Sequence, residues 1–196
     1  MREATSNKEE NLLNSAFKLF TEKGVKETSI QDIVDEADVG KGTFYTYFRD
    51  KYEIRDVLIS KKSKKLFNDA IKSLRKQEIY NLTDQVIYIV DYVINYLNKN
   101  QLLLKFFVKN LSLGIYNKTI TKVYESVDIE DDNMLTLFLK GIEDNNIKLE
   151  NPEVTLYMII ELVGSTCFGS ILYDEPLPIE DYKPFLYDTI RKMINE

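Results

Sequence analysis

Histidine is absent from this 196-residue chain. That gap removes the commonest general base and the commonest transition-metal ligand. The one cysteine, Cys167, cannot close an internal disulfide, and its setting in "VGSTCFGS" reads as a buried structural thiol. No cluster of carboxylates beside a nucleophile replaces what is missing. These absences argue against an enzyme, and nothing calls for a metal or a cofactor. Proline and glycine are scarce, at 4 and 7 residues, so helices have few places to break. An apolar leader is missing as well, because "MREATSNKEE" is charged and polar where a signal peptide needs a hydrophobic stretch. The longest uncharged apolar segment, Leu162 to Tyr173, is too short to span a bilayer and contains Gly164, Ser165, Thr166 and Ser170. A cytoplasmic, reducing setting with no membrane partner is expected.

What remains is a chain with 44% hydrophobic residues, enough to build one large or two small cores. Its formal charge of −6 is unevenly spread. Residues 1–76 hold 16 Lys and Arg against 13 Asp and Glu, and residues 77–196 hold 10 against 19. A mildly basic head on an acidic body permits nucleic-acid contact at one end only.

Apolar residues recur at helical spacing along the whole chain. Leu13, Ala16, Phe17 and Phe20 form one stripe, widened by Leu12 and Leu19, and Gly24 is a natural stop. In "ETSIQDIVDEADVG", Thr28 and Gln31 have capping-box spacing ahead of Ile30, Ile33, Val34 and Ala37. Asp38-Val39-Gly40 then turns the chain into a third helix, from Lys41 to about Phe48, and Asp50 caps a fourth. That fourth helix, about Lys51 to Lys76, would span about 35–40 Å. Its middle, "SKKSKK" at 60–65, is either a solvated face or a weak DNA-facing surface.

Further helices follow. One starts at Leu82 or Thr83, another at Gln101 with a break near Gly114, and "DDNMLTLFLKGIEDNN" holds a third. Pro152 opens a helix that is apolar nearly all round, and the last carries Tyr182, Phe185, Leu186, Thr189, Ile190 and Met193 on one face, with Pro184 in its first turn or bending it. The expected fold is all-α with about nine helices. Residues 1–51 form a helix-turn-helix head, 51–76 a linking helix, and 77–196 the body.

A wheel for the third helix, at about 100° per residue, separates its faces. Phe44 and Phe48 share the buried side. Gly42, Thr43 and Thr46 point the opposite way, where a backbone can approach base edges in a major groove. Tyr45 and Tyr47 flank them, each able to reach a phosphate on one groove wall. Lys41 and Lys51 add positive charge near a helix N-terminus, which itself favours phosphate. Burying Tyr45 and Tyr47 as core would demand a helix covered all round, against the small residues between them.

Residues 12–51, "LLNSAFKLFTEKGVKETSIQDIVDEADVGKGTFYTYFRDK", resemble the DNA-binding domain of the TetR family of transcriptional regulators. The resemblance spans roughly residues 8–55, carried by the phenylalanine pair of the first helix, Gly24, "TSIQDIVDEADV" and "KGTFYTYF". It implies phosphate contacts from Thr28, Tyr47 and Lys51, and groove contacts from Lys41, Gly42, Thr43, Tyr45 and Thr46. Gly40 departs from the family's usual serine N-cap, so no side-chain phosphate contact is expected there.

The resemblance also implies a homodimer on a near-palindromic double-stranded DNA operator, with a small-molecule effector bound in the body. Helices near 152–173 and 180–195 are candidates for the dimer interface, through a four-helix bundle, or else they are simply core. Tyr92, Phe106, Tyr124, Tyr157 and Phe168 are candidate ligand contacts among many aromatics that mostly pack the core. Glu161 shares a face with Val154, Tyr157, Met158, Ser165 and Phe168, an expensive place for an unpaired carboxylate. It either pairs with a cation across the dimer or faces the pocket. The leading expectation is a repressor released by a lipophilic or aromatic ligand. The alternatives are control by a protein partner without an inducer, or an activator.

Overall fold

Gly24 ends the first helix where the sequence marks a stop, with its backbone in the left-handed region at φ +87°. The computed structural model describes residues 2–107 and 134–195, with side chains from Lys8 onward. Ten helices and no strand are present among these residues. They are α1 (Arg2–Glu22), α2 (Gly24–Glu27), α3 (Ile30–Glu36), α4 (Lys41–Tyr47), α5 (Lys51–Leu74), α6 (Leu82–Lys99), α7 (Gln101–Phe107), α8 (Met134–Asp144), α9 (Pro152–Tyr173) and α10 (Ile179–Asn195). The all-α class stands. The single turn α2, formed where a plain connection is expected, is one addition. The expected break near Gly114 lies outside the described residues.

The chain divides into two compact units, residues 1–61 and 62–196, and α5 runs from the first into the second. In the first unit α1 packs on α2, α3 and α4, and α3 packs on α4. Leu12, Leu13, Ala16 and Phe20 are buried, whereas Phe17 and Leu19 lie at the rim. The start of α3 falls one residue later than the sequence reading has it. Ser29, not Thr28, is the N-cap: its hydroxyl accepts from the Asp32 amide at 3.1 Å, and the Asp32 carboxylate accepts from the Ser29 amide at 2.8 Å. Thr28 is drawn inward instead, donating to the Gly24 carbonyl at 2.7 Å. A capping box needs a side chain free at the helix mouth, and only Ser29 is.

In the second unit α9 packs against α6, α7, α8 and α10. By length and composition α9 is apolar enough to cross a membrane, and 39% of its most apolar stretch is buried inside the fold. Its buried side is Leu156, Ile159, Ile160, Val163, Cys167 and Ile171. Gly169 admits the chain's own reversal, since a Cβ there would meet the Glu175 carbonyl at 2.8 Å. Burial pushes the Cys167 thiol up to about 12, which makes it an inert packing group. On α10 the face turned inward is Ile179, Lys183, Leu186, Ile190 and Ile194. This corrects the expected face: Leu186 and Ile190 are inside, but Phe185 and Thr189 are exposed. Pro184 sits inside the helix at its sixth residue.

The charged member of that inner face is Lys183. Its ammonium donates to Asn95 at 2.6 Å and to Glu180 at 2.9 Å, and lies 3.1 Å from Asp91. Asp91 also accepts from the Tyr187 hydroxyl at 2.5 Å and from Asn95 at 2.7 Å. Burial alone would lower the Lys183 ammonium, but bonds to Glu180 and Asp91 outweigh it and hold the group above its ordinary value. Tyr187 is raised by burial and by its bond to Asp91. A fully buried pair broken on one side costs about 3–5 kcal/mol, less where the partners reach water. Lys183→Ala should therefore lower stability by about 2 kcal/mol in urea unfolding, and Lys183→Met, which keeps the stem, by less.

Candidate nucleic-acid interface

Seven residues are too few to hold a helix in water without help from neighbours, so α4 depends on its setting. The turn before it is set by α3. Asp38 takes the left-handed conformation at φ 52°, with Asp38 N–H donating to the Asp35 carbonyl and Val39 N–H to the Val34 carbonyl. That pair of bonds closes α3 with a Schellman motif. Gly40 then stands at the N-cap of α4 in extended backbone, without a side-chain cap. Nothing lies within 4 Å of a Cβ built at Gly40 or Gly42, so packing does not require glycine at either position.

The faces of α4 are distinct. Phe44 and Phe48 are buried, at 0% and 4% exposure, with ring centroids 5.7 Å apart. Burying one such ring contributes about 2–3 kcal/mol, and the aromatic pair adds about 0.5–1.5 kcal/mol. Lys41, Gly42, Tyr45 and Thr46 are exposed, and Thr43 and Tyr47 are half-buried. The Tyr45 ring meets Phe44 edge-on at 5.5 Å, which fixes an otherwise bare side chain. Thr46 donates its hydroxyl proton to the Gly42 carbonyl at 2.9 Å. It keeps an oxygen lone pair and a methyl group for a partner. Lys41 makes no ion pair among the described residues. One short helix thus presents a cation, an open glycine backbone, a threonine and two tyrosines beside an aromatic anchor.

Two candidate phosphate contacts are placed differently from the rest. Thr28 is fully buried and its hydroxyl is committed to Gly24, so its side chain supports the fold. Lys51 donates to the Lys26 carbonyl at 2.8 Å and the Thr28 carbonyl at 2.9 Å. It satisfies carbonyls left over at the end of α2, and one of its three donors remains for another partner. Tyr52, not singled out from the sequence, has two cations near its ring, Lys51 at 5.6 Å and Arg55 at 5.4 Å. The Ser29 and Asp32 cap is legible as a second S-x-x-D spacing one residue along from Thr28 and Gln31.

The candidate ligand residues of the body are scattered. Phe106 is buried, Tyr92 and Phe168 are half-buried, and the Phe168 ring rests on Tyr173 at 5.9 Å. Tyr157 is exposed, on the bare side of α9. Glu161 is half-buried, its backbone carbonyl accepts from Ser165, and its carboxylate forms no ion pair among the described residues. Tyr124 lies outside the described residues. A cleft of about 10 Å³ is lined by Ile94, Leu97, Leu104, Phe107, Val163, Gly164, Cys167 and Ile171, and none of the candidates borders it. That volume holds about one water.

Residues 12–58 match the sequence profile of bacterial regulatory proteins of the tetR family. The chain is 25% identical over 174 residues to YhgD of Bacillus subtilis, an uncharacterized HTH-type transcriptional regulator, covering 86% of this chain and 87% of that protein. Among solved structures it resembles the transcriptional regulator FadR of Bacillus subtilis in complex with stearoyl-CoA, with a TM-score of 0.64 at 16% identity over 94% of this chain and 98% of that one. It likewise resembles RolR in complex with resorcinol, with a TM-score of 0.70 at 15% identity over 99% and 90% of the two chains.

The cap that positions α3 carries a pH dependence. Bonds from Lys23 and from the Ser29 amide and hydroxyl hold the Asp32 carboxyl at about 2, below its ordinary 3.8. The lowered value means that its stabilisation is complete above pH 4 and is lost as pH falls through about 2. Asp32→Asn should lower the melting temperature at pH 6, with the gap to the wild type closing toward pH 2 in thermal scans.

Proposed function

We propose, from the premise that the chain belongs to the tetR family of bacterial regulatory proteins and regulates transcription through DNA, that it is a repressor. It reads a near-palindromic operator as a homodimer in the cytoplasm and is released by a small molecule. The observation that carries the DNA contact is the outer face of α4. Gly42 leaves backbone bare beside Thr46, while Phe44 and Phe48 hold the helix from behind. Lys41, Thr43, Tyr45 and Tyr47 stand around that opening. Lys51 adds charge at the first turn of the following helix. Thr28 contributes by shaping the corner to which Lys51 is tied.

The dimer is supported by apolar area that a single chain leaves uncovered. Val154, Tyr157 and Met158 on α9, and Phe185 on α10, are exposed. Two copies of α9 and α10 joined through these residues would form a four-helix bundle with Glu161 at its edge. An operator read by a two-fold dimer requires two copies of α4 one DNA turn apart, about 34–36 Å. An effector acts only by binding the conformer that misses this spacing more tightly than the one that matches it. The ligands named for FadR and RolR differ widely in size and polarity. They support a small-molecule effector without choosing its class. A second reading is control by a protein partner; the described residues line a tight cleft of about 10 Å³ beside Cys167 and an open one of about 380 Å³ beside Asn81 and Arg191.

Gel shifts with DNA from upstream of the chain's own gene test the central reading, and no shift at low salt with any neighbouring promoter fragment would sink it. Tyr47→Phe should weaken binding about 3- to 10-fold, the worth of one hydrogen bond, without unfolding the domain. Gly42→Ala should stabilise α4 by about 1 kcal/mol and still weaken DNA binding, a combination that a packing role would not produce. Combined Tyr157→Lys and Phe185→Glu changes should give a monomer in sedimentation and abolish the shift. A compound that raises the melting temperature and dissolves the shift would separate small-molecule control from control by a protein.

A further inference from the structure

Three helix ends of the second unit meet at a polar cleft that the DNA-binding reading does not use. The start of α6, the chain at the end of α8 and the end of α10 line about 380 Å³ there. That volume falls in the range of small-molecule sites, about 300–1,000 Å³. Asn81, Thr83, Asp84, Asn145, Arg191 and Asn195 are its polar lining, so hydrogen-bonding groups dominate the walls.

Those walls are fixed by bonds that cross between elements. Thr83, itself buried, donates its hydroxyl to the Asn195 side-chain oxygen at 3.0 Å. Asn145 accepts from the Leu82 amide at 3.4 Å and donates to the Gly141 carbonyl at 2.8 Å. Close by, α8 lies so near α6 that a Cβ at Gly141 would meet Leu82 Cδ1 at 2.5 Å. Asn81 caps α6, accepting from the Asp84 amide at 2.8 Å and donating to one Asp84 carboxylate oxygen.

Within this frame two opposite charges are left open. Arg191 is exposed and forms no ion pair among the described residues, so its guanidinium donors are available. Asn195, one turn further along α10, has only its oxygen engaged, which leaves its N–H donors for another partner. The second carboxylate oxygen of Asp84 has no partner among the described residues. Arg191 and Asp84 line the same cleft without bridging it.

We propose that this cleft binds a small zwitterion of the amino-acid class, with its carboxylate on Arg191 and Asn195 and its ammonium on Asp84. A guanidinium fork matches a carboxylate, and an ammonium suits the open carboxylate oxygen. A plain anion suits the cleft less, because Asp84 repels it and residues 77–196 carry 19 Asp and Glu against 10 Lys and Arg. A plain cation is opposed by Arg191. The inference concerns binding in the body alone, and it stands whether or not the occupant alters DNA binding.

The full-length protein should be titrated by calorimetry with each of the common L-amino acids, and with acetate and ethylamine, which carry one charge each. At least one amino acid should bind with a Kd below about 1 mM, and acetate and ethylamine about 10-fold more weakly or worse. Arg191→Gln and Asp84→Asn should each weaken that amino acid about 10-fold or more, the worth of one charge-assisted hydrogen bond. Arg191→Lys, which keeps the charge without the fork, should weaken it less than Arg191→Gln does. Lys192→Gln removes a cation that pairs with Asp188 outside the lining, and it should leave the affinity unchanged. Both lining side chains are exposed, so circular dichroism should show each variant folded. The proposal is overturned if no amino acid binds below about 1 mM, or if binding survives Arg191→Gln intact. Acetate binding as tightly as the amino acid, and more tightly still to Asp84→Asn, would also overturn it and leave a simple anion site. Gel shifts with the same preparation keep the two readings apart, since a chain that shifts DNA but binds no amino acid refutes this proposal alone.

Discussion

The burial of Phe44 and Phe48 is the constraint on which the head depends. Their helix has seven residues, begins at a glycine without a side-chain cap, and follows a turn that places Asp38 in left-handed backbone. None of these features favours a helix in isolation. Two aromatic rings set against α1 and α3 supply the missing stabilisation and also choose which side of α4 faces outward. The residues free to contact a partner are thus those left over after the anchor has been fixed. A recognition surface made this way is cheap in sequence, since exposed positions can change while the two rings keep the helix in place.

Much of this is legible in the order of residues alone. Helical spacing of apolar residues fixes α1, α3, α4 and α6, and the wheel of α4 separates Phe44 and Phe48 from Gly42 and Thr46 because a short helix covered from one direction has a single buried side. The N-cap of α3 is less legible, since Thr28 and Ser29 both present a hydroxyl with a suitable residue three positions on. The choice between them depends on where the Thr28 hydroxyl finds the Gly24 carbonyl, a tertiary matter. The inner face of α10 escapes its periodicity for a related reason. Spacing groups Tyr182 and Phe185 with Leu186 and Ile190, yet the fold turns a lysine inward and a phenylalanine outward. A hydrophobic pattern cannot announce that, because the lysine's place is secured in part by polar groups on another helix. Candidate ligand residues are the least legible, as aromatic side chains in a core and in a pocket obey the same spacing.

Charge behaves comparably at larger scale. Summed over 76 residues, the first part of the chain looks like a basic head. Resolved along the helices, the head itself is acidic and internally paired, and the excess cations ride on α5. A net charge taken over a domain is a statement about its far field, whereas phosphate binding depends on which cations remain open at short range.

Lys183 gives the body a property that apolar packing alone would not. Ridges of leucine and isoleucine can settle against one another in more than one register, one helical turn apart, at similar energy. An ammonium that must reach Asn95, Glu180 and Asp91 at once has only one such position. The network therefore acts as an index pin between α6 and α10. It fixes the rotation and height of the last helix, and with them the outward bearing of Phe185. Whatever meets that face encounters a surface of fixed orientation, set by a charge buried on the opposite side of the same helix.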